Sequence, residues 1–332
     1  MRVALLGAGR IGRFHAAVLA ALPGVSELLI ADLDASRAAA AAAECGATAA
    51  PSVEAAIAAA DALVIAAATE AHAELIRAGL ARQLPIFCEK PLALTLEDTI
   101  RVTREVEAVG RPFQLGFQRR FDAGYRAARE LVAEGRLGTI YAFRLAGHDP
   151  APPHETYIPA SGGIFRDFSI HDFDVIRWLL GEEVEEVYSD GAVRAFEVFA
   201  RYDDVDTAVA TLRMADGALG VLTAARHDPL GYDIRAELFG SRDSISVGLG
   251  PSTPLRSVEP GVPPPEGPVW HDFVGRFEAA YRDELAAFLP VARGEAPSPC
   301  VARDGLAALR IAEAATQSRH ERRPVRIAEI AS

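Results

Sequence analysis

Residues 2–32 read RVALLGAGRIGRFHAAVLAALPGVSELLIAD, and this stretch decides the fold. Arg2 to Leu6 is a short apolar run of the kind that forms a buried parallel strand. Gly7-Ala8-Gly9-Arg10-Ile11-Gly12 follows, and a helix-compatible segment runs from Arg13 to Leu22. GxGxxG between a strand and a helix has a physical reading. The first glycine makes the tight turn and the second lets backbone approach a pyrophosphate at the helix N-terminus. The third allows close packing of helix on strand. A second strand, Glu27 to Ala31, ends at Asp32, twenty residues past Gly12, where a carboxylate hydrogen-bonds a ribose 2′-hydroxyl. Together these predict a dinucleotide site at Gly7, Gly9, Arg10, Ile11, Gly12 and Asp32. Asp32 repels a 2′-phosphate and so favours NAD. Arg37, nearby in sequence, leaves NADP open as a secondary cofactor.

The βα rhythm continues. Helices are predicted over Ser36–Glu44 and Ser52–Ala60, with Ser52 as N-cap. A strand over Ala62–Ala67 ends in Ala68-Thr69, small residues that let a cofactor lie close. His72, in the next helix, reads as a packing or capping histidine. A strand from Pro85 to Cys88 runs into Glu89-Lys90-Pro91. A lysine at the carboxyl end of a parallel strand lies where such sheets bind ligands, and its ammonium can stabilise a developing alkoxide. A surface lysine before a helix is the plain alternative, and the Lys-Pro bond is a candidate for cis. Thr95 caps a helix over Leu96–Val109, and Pro112–Phe117 closes a parallel α/β domain of residues 1–118.

Composition is ordinary for a soluble chain of 332 residues, half hydrophobic and 24% charged. A formal charge of −12 argues against nucleic acid or an anionic membrane as partner. Cys45, Cys88 and Cys300 are widely spaced and share no metal-ligand pattern, which suits reduced thiols in the cytoplasm and no metal site. The first residues loosely resemble a secretory leader, but glycines and arginines interrupt the apolar run. No window is long and apolar enough to span a membrane.

After Gln118 the pattern changes. A helix to Glu134 is followed by strands at Thr139–Ala146, Val184–Val193, Thr207–Met214, Ala218–Ala225 and Asp233–Phe239, with Asp216-Gly217 as a hairpin turn. Pro251–Pro268 reads as a long loop, and helices are predicted over Phe273–Ala292 and Arg303–Ser318. Residues 119–332 therefore read as an α+β domain with a large, mostly antiparallel open sheet. Within it lies SGGIFRDFSIHDFDVIRWLLG, Ser161 to Gly181. Read as one helix, it puts Asp167, His171 and Asp174 on one face at i, i+4 and i+7. That row is either a wet helix face or a site. A nucleotide loop and a strand-end lysine elsewhere in the chain favour the site.

Taken together, GAGRIG, FCEKPLA and GGIFRDFSIHDFDVIRWLLG resemble the Gfo/Idh/MocA family of NAD(P)-dependent oxidoreductases acting on sugars and cyclitols. GFQRRFD, HDPAPPHETY and GYDIRAELFG extend the likeness along the chain, towards the family's inositol 2-dehydrogenase branch. The resemblance implies that Lys90 is the EKP lysine and that Asp167 and His171 are the catalytic pair. It implies that Asp174 contacts substrate, with Asp149, Tyr157, Tyr232 and Tyr281 nearby, and that Thr69 and Glu89 join Lys90 beside the cofactor. His148 departs from an Arg-Asp-Pro pattern, and Phe168 and Ser169 stand where Met and Thr are usual. The expected activity is NAD-dependent oxidation of a secondary hydroxyl of myo- or scyllo-inositol, with His171 as general base. The alternatives are another sugar or polyol dehydrogenase, a non-catalytic NAD-binding regulator, or a glycosidase using NAD transiently. The family habit implies a homo-oligomer, tetramer or dimer, built through the C-terminal sheet, with a small polyhydroxylated substrate.

Overall fold

The structure is a computed structural model that describes residues 1–264 and 267–330. Two residues of the proline-rich loop, 265 and 266, and the last two of the chain lie outside the described residues. The chain divides into two compact units, one of residues 1–121 and 279–306, the other of 122–278 and 307–332. This differs from a single boundary after residue 118, because a late segment returns to the first unit.

The first unit alternates strand and helix: β1 Arg2–Leu6, α1 Arg10–Ala21, β2 Glu27–Ala31, α2 Ala35–Cys45, β3 Thr48–Ala49, α3 Val53–Ala59, β4 Ala62–Ile65, α4 Thr69–Ala81, β5 Ile86–Glu89, α5 Leu96–Val109 and β6 Phe113–Gly116. The six strands lie parallel in the order β3-β2-β1-β4-β5-β6. This is the doubly wound dinucleotide fold, with its switch point between β1 and β4. Parallel strands covered on both faces must be apolar throughout, and Val3 to Leu6 and Ala62 to Ile65 are all buried. Helix starts follow local chemistry: Asp34 accepts from the backbone N–H of Ser36 and Arg37, Ser52 from Ala55, and Thr95 from Asp98. The two-residue β3 was not legible, being too short for any periodicity.

The second unit contains α6 Ala123–Ala133, β7 Ile140–His148, α7 Ile158–Ser161, α8 Ile164–Asp167, α9 Ile170–Leu180, β8 Val184–Ala192, β9 Thr207–Met214, β10 Leu219–Ala225, β11 Asp233–Gly240 and β12 Ser244–Val247. Then come α10 Phe273–Ala292 and α11 Ala302–Glu321, whose residues are divided between the units, and β13 Val325–Arg326. The sheet order is β12-β11-β7-β10-β9-β8-β13. Every pair is antiparallel except β7 with β10, whose parallel register sets Ala225 beside His148. Both strands therefore end at the same place, and the residues just beyond them are neighbours. Met214 and Leu219 flank the expected hairpin, where Gly217 takes φ +95°.

One face of this sheet is packed. Leu145, Leu222, Leu212, Val187 and Leu238 are buried on it, and Ser189 hydrogen-bonds Ala315 and Ser318 of α11 there. The other face carries Arg144, Tyr188, Thr211, Leu219, Val221 and Phe239, which line an open groove.

Ser161–Gly181 is not one helix. α8 stops at Asp167 and α9 starts at Ile170. Between them the N–H of Ser169 reaches back five residues to the carbonyl of Ile164, at 3.0 Å, one residue further than an α-turn. Asp167 and His171 therefore belong to different helices, and the expected single polar row is replaced by two segments meeting at a break.

Candidate active site

In the first unit the glycine loop has the form its sequence requires. Gly7 takes φ +103°, and a Cβ there would lie 2.5 Å from the backbone nitrogen of Ala67. A Cβ on Gly12 would lie 2.1 Å from the carbonyl oxygen of Gly7, so helix and turn touch through backbone. Gly9 differs: a Cβ there would meet nothing within 4 Å. It borders open space ahead of α1, whose N-terminal N–H groups have no side-chain cap. A pyrophosphate fits that space and those donors. Arg10 is exposed beside it, while Ile11 packs against the core of the sheet, so only its backbone faces the loop. The Asp32 carboxylate accepts from Ala8 N–H at 2.7 Å and from Asp34 N–H at 2.9 Å. Lone pairs remain on it for a ribose hydroxyl. Arg10, Arg13, Ser36 and Arg37 line the cleft beyond, with Arg13 paired to Glu44 and Arg37 to Asp34.

Thr69 opens α4, half-buried at the end of the β4 segment. His72 is a buried strut. Nδ1 lies 2.7 Å from the Pro91 carbonyl and Nε2 3.1 Å from that of Ala67. Burial pushes its pKa down, while the two carbonyls oppose the shift. It ties the strand end after β4 to the turn carrying Lys90, whose bond to Pro91 is cis. Lys90 itself is half-buried.

Glu89 and Tyr281 have partners no sequence spacing announces. Glu89 Oε1 lies 2.6 Å from Nε2 of the fully buried His15. Tyr281 is buried with its ring 5.6 Å from Phe14 and 5.8 Å from His15. Within this unit, Glu89, the residue before Lys90, is thus anchored to α1, and Tyr281 packs on the same histidine.

In the second unit three of the expected residues, Asp149, Tyr157 and Asp167, gather around one that the sequence reading missed. Arg226 follows the last residue of β10 and Asp149 follows the last of β7, side by side because those strands are parallel. Asp149 N–H donates to Ala225 O at 2.9 Å. Arg226 is 2% exposed. Its Nη1 lies 3.0 Å from Asp167 Oδ2 and 3.5 Å from Asp149 Oδ2, and its guanidinium stands 5.5 Å from the centre of the Phe168 ring. The Tyr157 hydroxyl donates to Asp167 Oδ1 at 2.8 Å. Burial works against the charge on Arg226, but Asp167, Asp149 and Asp204 outweigh it and hold the guanidinium firmly protonated. The only available signal was a lone arginine one residue past a strand end, which singles out nothing.

His171 is half-buried at the first turn of α9, and Asp174 is fully buried one turn on. α9 lies close on β7, since a Cβ on Gly147 would come within 3.0 Å of Phe168 and 3.2 Å of Asp172 Oδ2. Tyr232, at the head of β11, is buried edge-on to Phe277 with ring centres 6.5 Å apart. His148 Nδ1 lies 3.6 Å from Asp228 and 3.9 Å from Asp233, and Nε2 meets the Thr223 hydroxyl at 3.1 Å. The sequence foresaw no cluster of this kind. Arg235 already holds both oxygens of Asp233, at 2.7 and 3.0 Å, so the group is an ion-pair network.

Comparison with known proteins follows this division. "Oxidoreductase family, NAD-binding Rossmann fold" matches residues 1–117, and "GFO/IDH/MocA C-terminal domain" matches residues 125–246. The chain is 40% identical to the myo-inositol dehydrogenase Hyg17 of Streptomyces leeuwenhoekii, covering 96% of this chain and 97% of that one. It is 36% identical to the myo-inositol 2-dehydrogenase of Thermotoga maritima, covering 99% of each. It also superposes on scyllo-inositol dehydrogenase from Lactobacillus casei, solved with NAD(H) and scyllo-inositol, with a TM-score of 0.88 at 26% identity, covering 99% of this chain and 99% of that one. Likeness of this extent in both halves, over a glycine loop shaped for a dinucleotide, makes the chain an NAD-dependent oxidoreductase of the Gfo/Idh/MocA family.

Proposed function

We propose that the chain oxidises a secondary hydroxyl of a cyclitol, myo- or scyllo-inositol, to the ketone. The observation that carries this is the polar group Asp149, Tyr157 and Asp167 around Arg226, suited to a ligand made of hydroxyls. The activities named for the relatives support the same substrate class. Gly7, Gly9, Gly12 and Asp32 would hold NAD, which when bound supplies a hydride acceptor at C4 of its nicotinamide. His171 acts as general base and takes the hydroxyl proton, as an imidazole titrating near neutrality can. Asp167 stabilises the imidazolium that results. Lys90 steadies the alkoxide-like oxygen, and Asp174, Tyr232 and Tyr281 complete the substrate set.

NAD is preferred because Asp32 repels a 2′-phosphate. Secondary use of NADP would fall to the arginines beyond it, of which Arg13 and Arg37 are already paired with carboxylates. The cysteines, which form no disulfide among the described residues, suit a cytoplasmic enzyme, and among the same residues no helix is long and apolar enough to cross a membrane. The open sheet face, where Tyr188 is 40% and Leu219 49% exposed, would pair with other copies to form a homo-oligomer.

The test is a panel of inositols and aldoses assayed with NAD and with NADP, following stoichiometric reduction of the cofactor. The expected result is turnover of an inositol with NAD. Turnover of an aldose alone would sink the cyclitol assignment. His171→Asn should retain NAD binding and lose turnover; unchanged turnover would refute the base assignment.

A further inference from the structure

Arg226 is expensive to keep. It is buried, it draws three aspartates towards it, and its Nε and Nη2 find no partner among the described residues. A buried ion cluster of this kind is poor value for stability, since apolar residues of similar volume often serve as well or better. Its position explains it. Arg226 is held at both ends of its length: its N–H donates to Asp206 O at 2.8 Å, and its head bridges Asp167, at the end of α8, and Asp149, past β7. Asp228, two residues on, donates its N–H to Asp149 O at 2.6 Å, so side chain and backbone of Asp149 are both fixed from one short segment.

We infer that Arg226 is a positioning residue: its guanidinium fixes the carboxylates of Asp149 and Asp167 in one arrangement, for substrate and for the base respectively. This rests on the cyclitol dehydrogenase reading above. The charge acts as well as the shape. The titratable and charged groups around Asp167 are Tyr157 just before α7, Asp149 after β7, Arg226 after β10 and Asp204 before β9, with His171 four residues on along the chain. Arg226 supplies this group with positive charge. Removing it takes a positive charge from beside Asp167, so both the carboxylic acid form of Asp167 and the imidazolium of His171 become easier to form. The acid limb of the kcat/KM profile then moves to higher pH.

The experiment compares full-length wild type, Arg226→Lys and Arg226→Met, measuring kcat and KM for myo-inositol across pH, NAD affinity by fluorescence and thermal midpoint. Arg226→Met should lose on the order of 100-fold in kcat/KM with NAD affinity unchanged, as expected of a misplaced catalytic partner, and its acid limb should move upward. Arg226→Lys keeps the charge but not the fork, so its limb should stay in place while kcat/KM falls about 10-fold. Equal losses in both variants, with an unmoved limb and a lowered thermal midpoint, would reduce Arg226 to a structural residue and overturn the proposal.

Should Arg226→Met fail to fold, a cycle of Arg226→Lys with Asp149→Asn decides. Coupled effects on kcat/KM support the proposal, and fully additive ones refute it. If wild type oxidises no cyclitol, the substrate reading falls, and Arg226 is judged by ¹³C NMR titration of the Asp167 carboxyl. A higher pKa in Arg226→Met than in wild type supports the positioning role; equal values reject it.

Discussion

Gly9 and Gly12 differ by what stands in front of their α-carbons. A methyl group on Gly12 meets the Gly7 carbonyl at 2.1 Å, whereas one on Gly9 meets open space. Gly12→Ala should therefore destabilise the first unit by about 1–3 kcal/mol, as overpacking does, read as a lowered midpoint in chemical unfolding. Gly9→Val should leave that midpoint near wild type and weaken NAD binding, measured by calorimetry. A Gly9→Val enzyme with normal affinity would show that the space is not the pyrophosphate cradle. Lys90→Ala should lose about 2–4 kcal/mol of transition-state stabilisation if its ammonium faces the developing oxyanion, and a near-normal kcat/KM would remove it from that role. At this scale the sequence was informative where chemistry is local. GxGxxG and Asp32 lie within one βαβ unit, so spacing alone reported them. The pairings of Arg226 and of His15 with Glu89 were opaque, because the partners lie far apart along the chain and meet only in the fold.

Elements were legible in proportion to their length. The strands and capped helices of the first unit follow apolar runs and Ser, Thr or Asp caps, while β3 and β13, two residues each, leave no period to detect. The break between α8 and α9 escaped notice for a different reason. Phe168 and Ser169 are compatible with helix, and the extra residue in the turn lies where the chain passes close to Gly147 of β7, a contact that spacing does not report.

The segment before β9 offers a pH test. Burial alone would raise the Asp206 carboxyl, but N–H donors from Arg194, Ala195 and Phe196, with the Thr207 hydroxyl, outweigh it and hold it below its ordinary 3.8. A depressed folded pKa stabilises above the unfolded value, and the contribution is lost as pH falls through the folded one. Asp206→Asn should therefore cost about 1–3 kcal/mol at pH 7 and progressively less as pH falls below the ordinary carboxylate value. Urea unfolding across that range checks it, and a constant difference at all pH values would contradict the assignment.

For the whole molecule, the exposed sheet face makes the oligomer testable. Tyr188→Glu combined with Leu219→Glu places charge in the groove without touching the packed face. Light scattering should report a smaller species than wild type, with the thermal midpoint of a folded chain. An unchanged mass would move the interface elsewhere.

The return of residues 279–306 to the first unit has a consequence for how the protein is made. Leu285, Phe288 and Ala292 of α10 sit in the same core as Val3, Leu5 and Ile30. Full burial of side chains such as Leu285 and Phe288 is worth about 1.5–3 kcal/mol each. On the ribosome the glycine loop emerges long before α10, yet the core beneath it stays open until α10 has been translated. The nucleotide-binding unit is thus begun before strands β7 to β12 of the second unit and completed after them, and a polypeptide released before α10 would carry the whole GxGxxG motif on an unfinished support.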